Sequence, residues 1–113
     1  MNTRVVRSQE RKSRRLKVRF GVDDVSKIAF LGNASVAGAW IITGQPERVG
    51  TLLRLCVYLP DGEEILVRGK VQWAKKIPPN LIRLSKNAGM GLKFTRFESG
   101  LPIFSDYLAT LRY

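Results

Sequence analysis

The 113-residue chain has no histidine and a single cysteine, Cys56. Without histidine the usual zinc centres and histidine-based triads are excluded, and one cysteine cannot form an internal disulfide. No metal site is expected. Nor does any apolar run approach the ~20 residues of a membrane helix, or any N-terminal stretch resemble a secretion signal, so the expectation is a cytoplasmic protein with no membrane span. No general acid and base stand at motif spacing, which argues against an enzyme. Acids are scarce altogether: nine Asp and Glu stand against 20 Lys and Arg, for a net charge of +11. What is present is a composition of 44% hydrophobic and 26% charged residues, which suits one small folded domain.

The positive excess is uneven. Residues 1–20 hold eight basic residues against Glu10 alone, a net +7, while the other 93 hold twelve basic and eight acidic, a net +4. The chain therefore divides into a basic arm, residues 1–15, and a folded unit, residues 16–113. Such an arm calls for a phosphate-bearing partner, whether nucleic acid, nucleotide or anionic membrane; the alternative is a solvated tail that aids solubility. Past Met1, Val5 and Val6 are the only apolar residues of the arm, so it is expected to be flexible until a ligand orders it.

From Leu16 onward the pattern has the period of β-structure. Leu16, Val18, Phe20 and Val22 alternate with Lys17, Arg19 and Gly21, and Ile28 and Phe30 continue the alternation. A third strand is expected around Ala39–Thr43, and in a fourth Leu53, Leu55, Val57 and Leu59 share one parity. Pro60-Asp61-Gly62-Glu63 is a turn signal, so the next run pairs back as a hairpin with Ile65, Val67, Val71 and Trp73 on one face. Gly69 would permit a sharp bend within it. Residues 76–87 read as a loop, and Met90, Leu92 and Phe94 as a last strand. Phe104, Tyr107, Leu108 and Leu111 recur at helical spacing, with Ser99 or Gly100 as cap and Pro102 in the first turn. The expected fold is all-β, a six-stranded antiparallel barrel with a C-terminal α-helix.

Two stretches stand out. Arg11-Lys12-Ser13-Arg14-Arg15 is an Arg-x-x-x-Arg spacing just before the first strand, and Asn33-Ala34-Ser35-Val36-Ala37-Gly38 is an Asn-x-Ser-x-x-Gly turn between the second and third. In this order, ahead of six strands, they resemble the PilZ domain, the bacterial receptor module for cyclic di-GMP. Val49-Gly50-Thr51, the Leu59-Pro60-Asp61-Gly62 turn, Gly69-Lys70-Val71-Gln72-Trp73 and Gly89-Met90-Gly91-Leu92-Lys93-Phe94 are similar to PilZ strand signatures, so the resemblance covers residues 7–112. It implies a PilZ-like barrel and a non-enzymatic receptor of cyclic di-GMP, with that ligand and no other cofactor. Signalling would pass to a downstream effector protein, in pathways such as motility or biofilm formation.

The residue types suit that ligand. A cyclic dinucleotide has two phosphates and two guanines, and arginine can fork onto phosphate oxygens or guanine O6 and N7 and stack on a base, as lysine cannot. Asn33 and Ser35 can hydrogen-bond guanine edges or shape the turn, and Gly38 can take backbone angles closed to other residues. Arg7-Ser8-Gln9-Glu10-Arg11 offers a second register: 21 residues separate Arg11 from Asn33, and 17 separate Arg15 from it. The longer gap is nearer the spacing usual in PilZ domains, but the strand starts directly after Arg15, which favours Arg11 and Arg15, with Arg7 and Arg14 assisting. Trp40 and Trp73 are expected in the core or barrel wall and Cys56 within a strand. Substitutions in the arm or the turn should leave stability nearly unchanged. Two rival readings remain: a PilZ-like adaptor that binds protein and no nucleotide, and a basic barrel that binds RNA or DNA. The arm's lack of aromatics before Phe20 weighs against nucleic acid.

Overall fold

The computed structural model describes residues 15–76 and 88–111. In strand β1 (Leu16–Gly21), Leu16, Val18 and Phe20 are buried while Lys17 and Arg19 are exposed, the alternation a pleated strand with one covered face requires. β2 (Lys27–Ala34) returns antiparallel, with Leu16 opposite Leu31 and Val18 opposite Ala29. β3 (Gly38–Ile42), β4 (Leu52–Tyr58), β5 (Glu64–Lys75) and β6 (Gly89–Ser99) follow, and helix α1 (Leu101–Ala109) comes last. The strands close into an antiparallel barrel in the order β1-β2-β3-β6-β5-β4. β1 completes the ring by pairing with β4, Val18 opposite Val57 and Phe20 opposite Leu55.

One apolar core fills the ring, with Phe20, Ile41, Leu55, Val67 and Met90 at most 1% exposed. Burying each such side chain stabilises the fold by about 1.5–3 kcal/mol. The β4–β5 hairpin turns where the sequence expects it: Gly62 donates to the Leu59 carbonyl at 3.0 Å, and the Glu63 N–H donates to Asp61 Oδ1 at 3.0 Å. Gly62 has φ 93°, which explains glycine at that corner. β5 changes register against β6 between Arg68 and Gly69, where the bend was expected. α1 is anchored by Phe104, fully buried, whose ring centroid lies 6.3 Å from Phe94 and 5.9 Å from Phe97. Gly100 is its N-cap at φ 89°, and Pro102 lies in the first turn, where no backbone donor is lost. With nine residues α1 is too short to cross a membrane, and no helix among the described residues is long and apolar enough to do so.

Three parity expectations fail. Val22 lies beyond β1 and is exposed. Ile28 and Phe30 face outward, 56% and 47% exposed, because the loop after Gly21 resets the alternation and the inward residues of β2 are Ala29 and Leu31. Trp73 is 49% exposed: Val71 pairs with Leu92 and Trp73 with Gly91, so the extra residue Gln72 forms a bulge that turns the indole outward. The loop expected at 76–87 lies outside the described residues apart from Lys76, as does the arm apart from Arg15.

Cys56 is the exception on the outer face of β4, only 3% exposed, with its thiol 3.8 Å from Glu64 Oε1. Burial pushes the thiol above its ordinary value, the Glu64 charge adds to this, and a hydrogen bond with Tyr58 offsets part of it. Little thiolate is present near neutral pH, so Ellman's reagent is expected to label Cys56 slowly in the native protein and fully after denaturation. Rapid native labelling would mean that the β4 face opens readily.

Candidate ligand-binding site

Asn33, Ser35 and Gly38 fall where β2 turns into β3. The Ser35 N–H donates to the Gly38 carbonyl at 2.9 Å, and the Ala37 N–H donates to Ser35 Oγ at 3.1 Å, so the serine hydroxyl helps to hold the turn. The β2–β3 register shifts between Leu31 and Ala34, which takes Gly32 and Asn33 out of regular pairing. Bulges of this kind re-aim side chains, and Asn33 and Ser35 are both exposed.

Beside the turn is a cleft of about 530 Å³ between this end of the barrel and α1. Leu16, Asn33 and Ser35 line one side, and Ser105, Tyr107 and Leu108 the other. Its volume lies within the ~300–1,000 Å³ range of small-molecule sites. None of the described residues lining it is charged. An anion bound here would meet hydroxyls, an amide and apolar walls, and any cation must reach in from elsewhere.

Arg15 is placed to supply one. It is exposed and directly precedes Leu16, a lining residue whose ladder partner is Leu31. Leu16 and Leu31 both line the cleft, and Arg15 enters the barrel at that end. Asn33 and Ser35 line the cleft that Leu16 also lines, and Arg15 is the residue before Leu16. Arg7, Arg11 and Arg14 lie outside the described residues.

Gly38 needs a different explanation from the one its sequence suggests. It is not among the glycines with positive φ, so no unusual backbone angle calls for glycine. It is the first residue of β3, opposite Lys93 of β6, and a Cβ there would run into the Leu92 carbonyl. Close approach of two strands fixes this glycine, and a larger residue would push on the barrel seam. The α1 contribution to the cleft escaped the sequence reading. Tyr107 and Leu108 were visible as a helical apolar stripe, but nothing local says that such a stripe borders an opening as well as a core.

No protein-family model matches the chain, and no curated protein does. Among solved structures it is similar to the Bacillus subtilis inhibitor of motility (MotI/DgrA), with a TM-score of 0.67 and 20% sequence identity. The match covers 85% of this chain and 46% of that one, so this chain spans about half the length of its structural neighbour. The fold is a PilZ-like six-stranded barrel with a C-terminal helix.

Proposed function

We propose that this protein is a non-enzymatic cytoplasmic receptor for cyclic di-GMP that acts as a signalling adaptor. The observation that carries the reading is the junction at Arg15: the chain leaves the basic segment and joins the barrel beside the Asn33–Gly38 turn and a cleft with no charged residue among its described lining. The turn and cleft supply hydrogen-bonding and apolar surface without charge, and the arm supplies arginines without a surface. Together they provide for two phosphates and two guanine edges. Arg11 and Arg15 clamp the ligand, with Arg7 and Arg14 adding charge, while Asn33 and Ser35 meet its base edges. The arm folds over the ligand on binding and so alters the surface offered to an effector. Likeness in fold to an inhibitor of motility supports a regulatory rather than catalytic role.

Calorimetric titration with cyclic di-GMP, GTP and a short RNA in parallel tests this. Binding is expected for cyclic di-GMP well above GTP, and it should weaken as salt rises. Binding to RNA alone would assign the barrel to nucleic acid, and binding to none of the three would favour the adaptor that takes no nucleotide.

A further inference from the structure

Apart from Val22, the outward misfits of the fold lie together. Residues opposite one another on an antiparallel ladder share a face of the sheet. The register sets Lys17, Phe30, Ile42, Gly89 and Lys75 in one row across β1, β2, β3, β6 and β5. The next row holds Trp40, Gly91 and Trp73, and beside Phe30's row Ile28 stands opposite Arg19. Ile28, Phe30 and Trp73 are roughly half exposed, and Trp40 and Ile42 partly so. The two indoles stack at 4.5 Å between centroids and 14° between planes. They lie low on the sheet because glycines form the floor: a Cβ at Gly91 would strike the Trp73 ring, and one at Gly89 the Trp40 ring.

The result is an apolar band with a cationic border. Lys17 and Arg19 flank it along β1, Lys75 ends its central row, and the row beyond the tryptophans carries Lys93 opposite Lys70. Glu47, the acid next to β2, is held by Lys27 at 2.7 Å. A monomeric protein rarely leaves aromatic and aliphatic groups side by side in this way without a partner for them. Charge selects the occupant. A second copy of this chain, at net +11, would bring like charge against the border. Because the indoles face each other and lie low over glycines, the band offers a base few free ring faces and does not project into a bilayer.

We infer that this outer face docks an acidic amphipathic segment of a partner protein. The partner's apolar side chains cover Ile28, Phe30, Ile42 and the indole pair, and its carboxylates meet the bordering lysines and Arg19. The inference does not rest on nucleotide binding, although the band adjoins the candidate site: Lys93 stands opposite Gly38, and Trp40 packs where a Cβ at the cleft-lining Gly32 would lie.

Trp40 and Trp73 are the only tryptophans in the chain, so intrinsic fluorescence reports on the band. The probes are a synthetic peptide alternating Glu with Leu and Phe, the same peptide with Lys for Glu, an oligothymidylate and phosphatidylglycerol vesicles. The acidic peptide is expected to give a saturable blue shift that the lysine peptide does not. Ile28→Ser with Phe30→Ser, and separately Lys75→Glu with Arg19→Glu, should each weaken it about tenfold or more. These positions are exposed, so melting should change little, and cyclic di-GMP titration of the same variants reads the other site separately. Equal response to both peptides, no response to the acidic one, or binding unmoved by either double variant would overturn the inference. A response confined to the oligothymidylate or to the vesicles would do the same and reassign the face to nucleic acid or lipid.

Discussion

Arg15→Ala is expected to weaken cyclic di-GMP binding by about 2–4 kcal/mol, on the order of 30- to 1,000-fold, the cost of removing one side of a buried charge-assisted contact. Arg11→Ala should cost about as much, because Arg11 belongs to both Arg-x-x-x-Arg registers. Arg7→Ala decides between them. With Arg11 and Arg15 as the clamp, Arg7 is a screened surface charge worth under ~1 kcal/mol; in the earlier register Arg7 and Arg15 exchange effects. Titration of the three variants at one salt concentration reads this directly. Melting temperatures should stay at the parent value for Arg15→Ala, since Arg15 is exposed and outside the ladder. An Arg11→Ala variant that binds as well as the parent would end the receptor reading and leave the protein adaptor in its place.

Gly38→Val should have the largest effect on the fold. The new Cβ meets the Leu92 carbonyl, a backbone atom that cannot move aside as a side-chain tip can. Overpacking of this kind costs about 1–3 kcal/mol, and for a domain of this size each kcal/mol lowers Tm by roughly 4–8 °C. A fall in Tm of about 10 °C is therefore expected in thermal unfolding followed by circular dichroism. Ser35→Ala makes the contrast. It removes the 3.1 Å hydrogen bond from the Ala37 N–H at an exposed turn, so its stability cost should stay under ~1 kcal/mol while its affinity for the ligand falls. A Gly38 variant that kept the parent Tm would mean that β3 and β6 can separate at little cost.

The sequence made the barrel legible wherever a strand carried its apolar residues on one parity. β1, β4 and β6 are of that kind, and Leu55, Val57 and Leu92 sit inside as their alternation requires. β2 was misread because Ile28, Ala29, Phe30 and Leu31 put apolar residues on both parities, and only the ladder with β1 settles which pair turns inward. Trp73 was misread because a bulge adds a residue without leaving a mark in the hydrophobic pattern. For the candidate site, the Asn33–Gly38 turn could be found from spacing alone. What spacing could not show was that α1 folds back to border the cleft, or that Gly38 answers to the backbone of a strand more than fifty residues later in the chain.

The closed ring has a bearing on what happens when it fails. While β3 stays bonded to β6, the barrel offers no long free strand edge for another chain to pair with, so association must proceed through side chains. The seam at Gly38 is one place where that protection rests on a missing Cβ. Parting β3 from β6 would bare the unpaired backbone of two strands rich in apolar residues, each a template for edge-to-edge growth. Damage at this seam would therefore show itself less as a soluble unfolded chain than as aggregate.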